Sequence, residues 1–223
     1  MTIHRQPCQS EFTRSHRSHF IGSCVIAGIL LSIILAAVVD FLRPDYNLSR
    51  NLLDESLVGP LSLFGKAAAW VLAATLLLVL IGLRLDISRS GFRMVSCVLI
   101  GVVAISLGVS ALFPLDEWSP NGSHSTSTAI IHLVSGARFY ALLIALLVTL
   151  PIVFKRDEKW RPLSHVTLLL GLLTLAFQVV FVLTPSSLSG LVDRGSGLVI
   201  LVWLFLVGLR LRQTIISTHG TAP

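Results

Sequence analysis

Six long apolar runs, separated by short polar segments, constrain this chain more than any other feature. About 20 apolar residues are enough for a helix to cross roughly 30 Å of hydrocarbon. In that medium every backbone polar group has to be satisfied within the protein, which favours helices. The runs are Phe20 to Val39, Leu61 to Leu83, Met94 to Phe113, Thr128 to Phe154, Val166 to Leu183 and Gly195 to Leu209. They use most of the 223 residues and leave no segment long enough to bury a core of its own. The expected fold is all-α: a polytopic membrane protein built as a bundle of six transmembrane helices. Residues 1–19 form a disordered N-terminal tail in this reading, 20–212 the six-helix transmembrane domain and 213–223 a C-terminal tail. The first run exceeds the usual apolar length of a signal peptide, and no A-x-A site follows it cleanly, so it is expected to be retained.

Orientation follows from the distribution of Lys and Arg, which membranes retain on the cytoplasmic side. Twelve flank the runs on one side: Arg5, Arg14, Arg17, Arg84, Arg89, Arg93, Lys155, Arg156, Lys159, Arg161, Arg210 and Arg212. Only Arg43, Arg50 and Arg194 flank them on the other, while Lys66 and Arg138 fall inside runs. Both termini are therefore expected in the cytoplasm. The net charge of +6 raises the question of nucleic acid. The basic residues bracket apolar spans and no basic motif is interleaved with aromatics, so no nucleic-acid partner is expected. Cys8 falls in the cytoplasmic tail and Cys24 and Cys97 inside spans, so no disulfide is expected in an extracytoplasmic loop. No CxxC, HExxH or Walker-type glycine loop occurs, and no cofactor is implied.

With this topology the polar residues within and beside the spans gather in the outer half of the bilayer. Asp40 and Arg43 end the first run, Lys66 lies early in the second, and Asp116 follows the third. His132 and Arg138 lie early in the fourth, and Asp193-Arg194 precede the sixth. Ionisable groups at membrane depth are costly and usually face a bundle interior, a partner or a watery cavity. A polar cavity opening outward is the sharp hypothesis. Lys66 lies about 9 Å from its helix start and is equally able to snorkel to the headgroups. Arg138 lies about 15 Å from Thr128, near mid-membrane, where a structural pair with Asp40 or Asp116 is the alternative. His132, Ser135 and Arg138 step by about 60° each, so one helix wall carries all three. A metal site would draw on His132, Asp116 and His124, but no spacing enforces three fixed ligands. A Ser/His/Asp arrangement from Ser135 or Ser56, His132 and Asp116 lacks a nucleophile elbow.

Other residues read as structural. Gly101, Ala104, Gly108 and Gly136 suit close helix packing. Gln178 is expected to hydrogen-bond a neighbouring helix. Trp118, Trp160 and Trp203 read as interfacial belt or packing residues. The polar segment from Ser119 to Ser127 is turn chemistry.

Several short motifs occur in order: Arg43-Pro-Asp-Tyr46, Gly59, Phe113-Pro-Leu-Asp116, His132 and Gly190-Leu-Val-Asp-Arg194. Their order and placement resemble the prokaryotic integral-membrane family catalogued as domain of unknown function 998, from about Phe20 to Arg212. The resemblance implies a six-helix bundle in the plasma membrane and supplies no activity. It matches Asp116, His132 and Arg194 to the family's aspartate, histidine and arginine. The chain departs from the pattern at Asp54, where the family's serine is expected five residues before Gly59, with Ser56 nearby.

The leading functional expectation is binding or processing of a lipid or small amphiphile in the outward cavity. Arg138 and Lys66 would hold an anionic headgroup, with Ser135 on the same wall. Asp116 would orient His132 as the catalytic pair, and Arg194 would gate the site or pair with Asp193. Whether the chain is an enzyme is left open, as are protein partners beyond the lipid bilayer itself. The alternative is a non-catalytic scaffold or accessory subunit whose polar residues lock helices together. A small-solute transporter stands third, since no broken-helix or repeat signal is present.

Overall fold

The computed structural model describes residues 8–87, 91–113 and 127–213, with side chains described in these ranges except at 8–15, 91–92, 127–130, 132–138 and 142. Among the described residues the fold is all-α, and six long helices carry it: α1 Cys8–Leu42, α2 Ser62–Asp86, α3 Gly91–Leu112, α4 Ser127–Lys155, α5 Arg161–Leu183 and α6 Ser189–Arg212. A short 3-10 helix, Leu53–Leu57, interrupts the connection between α1 and α2. Five of the helices, α1 from His16 onward and α2, α3, α5 and α6, are long and apolar enough to cross a membrane. In α4 the described side chains form an apolar stretch from Phe139 to Lys155.

The helices form a ring in chain order. Each packs against its neighbours in sequence, and α6 closes the ring on α1. Neighbours run antiparallel, as the cross-helix contacts record. The Ser32 hydroxyl of α1 donates to the Ala68 carbonyl of α2 at 3.0 Å, and the ring of Trp70 on α2 covers Gly108 on α3. Ser164 of α5 donates to the Pro151 carbonyl of α4 at 3.0 Å. The Gln178 amide of α5 donates to the Ser196 hydroxyl of α6 at 3.2 Å, the inter-helix bond expected of that residue. The ring is filled by Leu76, Val79, Leu143, Leu146, Leu147 and Leu204, each fully buried. Its outer surface is apolar as well: on α5, Leu169, Val182 and Leu183 are 65%, 80% and 78% exposed. Apolar exposure continuous along whole helices is the surface of a protein whose solvent is lipid.

Helix ends depart from the apolar runs where polar residues have work within the fold. α1 is already helical at Cys8, well before Phe20, so the helix runs back through part of the expected tail. α6 begins at Ser189 rather than Gly195, so Asp193 and Arg194 are helical residues and not loop. At the end carrying the α2 C-terminus, Asp86 accepts from Lys159 Nζ at 2.5 Å and from Trp160 Nε1 at 2.9 Å. Trp160 stacks on Phe154 at 5.0 Å between ring centroids, and the Arg210 Nε donates to the Lys159 carbonyl at 2.7 Å. Trp160 and Trp203 are fully buried, so both pack the core and neither is a belt residue.

Of the small residues in α3, Gly108 is the tight one, since a Cβ there would lie 3.2 Å from the Trp70 ring. A Cβ on Gly101 would meet only Leu80 at 3.5 Å, an ordinary contact.

Candidate functional site

At the opposite end, the connection from Arg43 to Leu61 folds over the ring as a lid. Its backbone has little regular structure, so its carbonyls need partners, and two arginines supply them. Arg43 forks onto Asp45, with Nε and Nη2 each 3.1 Å from a carboxylate oxygen. Its Nη1 donates to the carbonyls of Glu55 at 3.1 Å and Val58 at 2.7 Å. Arg194, from the second turn of α6, donates to Asp40 of α1 at 2.8 Å and to the carbonyls of Leu48 at 3.0 Å and Asn51 at 2.7 Å. Both guanidinium groups approach the Tyr46 ring, at 5.5 Å and 5.3 Å from its centroid, within cation–π range.

Further bonds hold the lid down. The Tyr46 hydroxyl donates to the Leu52 carbonyl at 2.6 Å, and the Asn51 amide donates to the Glu55 carboxylate. Asp193 accepts from the Leu53 N–H and from the Tyr140 hydroxyl of α4, each at 2.9 Å. The Gly190 N–H donates to the Ser49 carbonyl at 2.9 Å. A Cβ on Gly190 would sit 2.5 Å from the Asn51 carbonyl oxygen, so glycine is what lets α6 start against the lid. The lid ends in a turn with Gly59 at φ +75° and Leu61 at φ +65°, a left-handed geometry that costs a leucine about 1 kcal/mol.

Asp45 is exposed, and its hydrogen bonds from Arg43 hold its carboxyl below the usual carboxylate range. Burial pushes the Tyr46 phenol up to about 12, partly offset by Arg194 beside it. The folded protein therefore keeps Tyr46 neutral where an unfolded chain would ionise it. The stability this contributes is fully present below pH 10 and is lost as pH rises toward 12. Tyr46→Phe is expected to cost about 1 kcal/mol at neutral pH through the lost hydrogen bond. Its thermal unfolding midpoint should fall less than that of wild type between pH 10 and 12, as unfolding scans across that range would record.

Beneath the lid lies a cavity of about 530 Å³, within the roughly 300–1,000 Å³ usual for small-molecule sites. Its walls are apolar: Ala36, Ala68, Ala69, Leu72, Leu107, Phe139, Ile200 and Leu201. Its polar end is formed by Asp40, Asp54, Ser56, Tyr140 and Arg194, next to the lid; Ser32 and Ser110 also line it, with their hydroxyls donated to the carbonyls of Ala68 and Ser106. No histidine, cysteine or lysine lines it among the described residues, and these residues hold no group of three or more metal-ligating side chains. Such a lining offers hydrogen bonds at one end and apolar contact along the rest, which is binding chemistry.

The structure brings some of the sequence candidates to this site. Arg194 lines the cavity, and Asp193 holds Tyr140, which also lines it. Arg194 pairs with Asp40 on α1 rather than with Asp193, because the helical start of α6 sends adjacent residues to different neighbours. Lys66 is half-buried in the first turns of α2 and is not a lining residue, although the adjacent Gly65 is. His132, Ser135 and Arg138 lie on α4, but their side chains fall outside the described residues, as does all of Asp116. His124 and Trp118 fall there too.

Sequence reasoning did not select Tyr46 or Tyr140 as site residues. Tyr46 was visible only as part of a motif, and Tyr140 is a lone tyrosine in an apolar run. A buried tyrosine hydroxyl needs a partner, and that is the signal that points to an acidic residue at the same depth.

The family model described as "Protein of unknown function (DUF998)" matches residues 26–210, most of the chain. No curated protein and no solved structure matches it.

Proposed function

The chain belongs to the DUF998 family, and we propose that it binds a lipid or small amphiphile in the cavity beneath the lid. The supporting observation is the division of that cavity into an apolar body and one polar end, which matches a molecule divided in the same way. In this reading both termini lie in the cytoplasm and the lid on the extracytoplasmic side of the plasma membrane, an orientation that the Lys and Arg distribution supports. The headgroup then lies at the lid and the tail points toward mid-membrane. Arg138 is the proposed contact for an anionic headgroup, with Ser135 beside it, Lys66 reaching the headgroup from outside the cavity lining, and Asp193 and Arg194 shaping the polar end. Any processing of the ligand falls to His132 oriented by Asp116.

Native mass spectrometry of the protein in mild detergent, beside Arg138→Ala and His132→Ala, tests this reading. The expected result is a defined lipid on wild type, retained by His132→Ala and lost from Arg138→Ala. Proteins that are equally folded and equally empty would remove it. One observation favours a second reading, a non-catalytic scaffold. Arg194 spends its hydrogen bonds on Asp40 and lid carbonyls, as a strut between helices does.

A further inference from the structure

The cavity has walls of unequal tightness. Toward the lid it is capped by Leu53 and Leu57, with Ser56 pressed against Gly65 of α2. Toward mid-membrane the buried core of Leu76, Leu143, Trp203 and Leu204 floors it. Between α1 and α2 the Ser32–Ala68 hydrogen bond closes the seam, and between α2 and α3 the Trp70 ring does. The seam between α1 and α6 differs.

On α1, Gly22, Ile33 and Asp40 fall within about 20° of one another around the helix, so they share the face turned to α6. On α6, Gly208, Leu201, Gly197 and Arg194 share the face turned back, within about 60°. At one end of the seam the helices touch glycine to glycine, where a Cβ on Gly22 would lie 2.6 Å from the Gly208 carbonyl oxygen. At the other end Asp40 and Arg194 bridge it at 2.8 Å. Between these closures stand Ile33 and Ala37 on α1 and Gly197, Leu198 and Leu201 on α6, all of which line the cavity.

Ile33 and Leu198, one on each side of the seam, line the cavity and are 43% and 61% exposed overall. Lining residues this accessible on both flanks of one seam mark where the cavity opens. The opening's rim is apolar, and two of its positions are alanine and glycine. A Cβ on Gly197 would meet only Leu53, at 3.3 Å.

We infer that the α1–α6 seam is a lateral port through which an acyl chain of a bilayer lipid enters the cavity, with its headgroup travelling along the lid side. This rests on the lipid-binding reading and narrows it: the ligand comes from the membrane and not from water, because the port opens onto the lipid-facing surface while the lid covers the aqueous end. The glycine contact and the ion pair keep the helices from separating further, so the slot admits a chain and excludes a second protein helix.

The probe is phosphatidylglycerol, whose headgroup is anionic, carrying a diazirine at the end of one acyl chain, in vesicles containing the full-length protein. After photolysis, labelled residues are mapped by peptide mass spectrometry. Wild type is expected to label at Leu72, Leu107 and Phe139 inside the cavity and at Leu169 and Val182 on the outside of α5. Ala37→Phe is expected to reduce cavity labelling at least tenfold and leave the α5 positions unchanged. Leu198→Trp, at an exposed position that tolerates bulk, should do the same should Ala37→Phe fail to fold. Ile34→Phe, on the lipid-facing side of α1, should match wild type. Undiminished cavity labelling in the port variants would overturn the port while leaving the binding site standing. Absence of cavity labels in wild type, with α5 labelled normally, would overturn the lipid reading itself.

Discussion

Arg194→Met should lower the unfolding free energy of the purified protein by about 3 kcal/mol, the low end of the cost of breaking a buried ion pair. This pair is only partly buried, but its loss also strips two carbonyls of their donor. Asp40 is only 17% exposed and would lose its ion pair. The carbonyls of Leu48 and Asn51 would lose donors in the same step, and Tyr46 one of its two cationic neighbours. The lid should loosen first, so limited proteolysis is expected to cut between residues 43 and 61 in the variant and not in wild type. Asp40→Asn keeps a hydrogen-bond acceptor and should cost less, on the order of 1 kcal/mol. Combining Arg194→Met with Asp40→Leu should recover part of the loss, because an apolar pair leaves no buried charge. Thermal unfolding of the four proteins in one detergent settles this; a loss below about 1 kcal/mol for Arg194→Met would mean that the strut carries little.

The second large effect is expected at Gly22. A side chain there meets the Gly208 carbonyl oxygen at 2.6 Å and the Arg212 backbone nitrogen at 2.9 Å. Both are backbone atoms of α6, so no rotamer change relieves the clash and the two helices must part. Gly22→Leu should cost about 3 kcal/mol, at the upper end of overpacking penalties. Gly101→Ala provides the contrast. Its Cβ lies 3.5 Å from Leu80 and nothing else, so the substitution should be neutral or gain about 0.5 kcal/mol from helix propensity. Unfolding midpoints measured side by side would separate helix propensity from packing.

The apolar runs made the helices readable, because in lipid a run of that length has little choice but to be helical. Their ends were less readable. α6 was expected to begin at Gly195 because Asp193 and Arg194 look like loop residues. They are helical since their side chains complete the lid, through partners more than a hundred residues away in sequence. Charge counting placed Asp40, Arg43 and Arg194 at one end of the bundle, and there they are. It had no means of pairing Asp40 with Arg194 rather than Arg43, because the pairing depends on α6 closing the ring against α1. The lid was invisible for a similar reason: Arg43-Pro-Asp-Tyr46 appeared as a motif, while its purpose lies in the carbonyls of Glu55 and Val58 that Arg43 collects. The cavity's apolar walls follow from small residues such as Ala36, Ala68 and Ala69, which in sequence look like any other part of a span.

Ring closure also sets a timetable for biogenesis. Apart from those that α6 makes with α1 and α2, the contacts among the long helices join elements adjacent in the chain and are available as soon as the second member is synthesised. The contact between α1 and α6 joins the first helix to the last. Until α6 leaves the insertion machinery, the glycine face of α1 and the Asp40 carboxylate stand without their partner, and the lid lacks the second of its two arginines. The nascent protein thus passes through a five-helix stage with one open flank and an uncompensated acid near the bilayer surface. Quality control that senses unpaired polar groups in the membrane would find its signal there, and it would vanish with the arrival of Arg194.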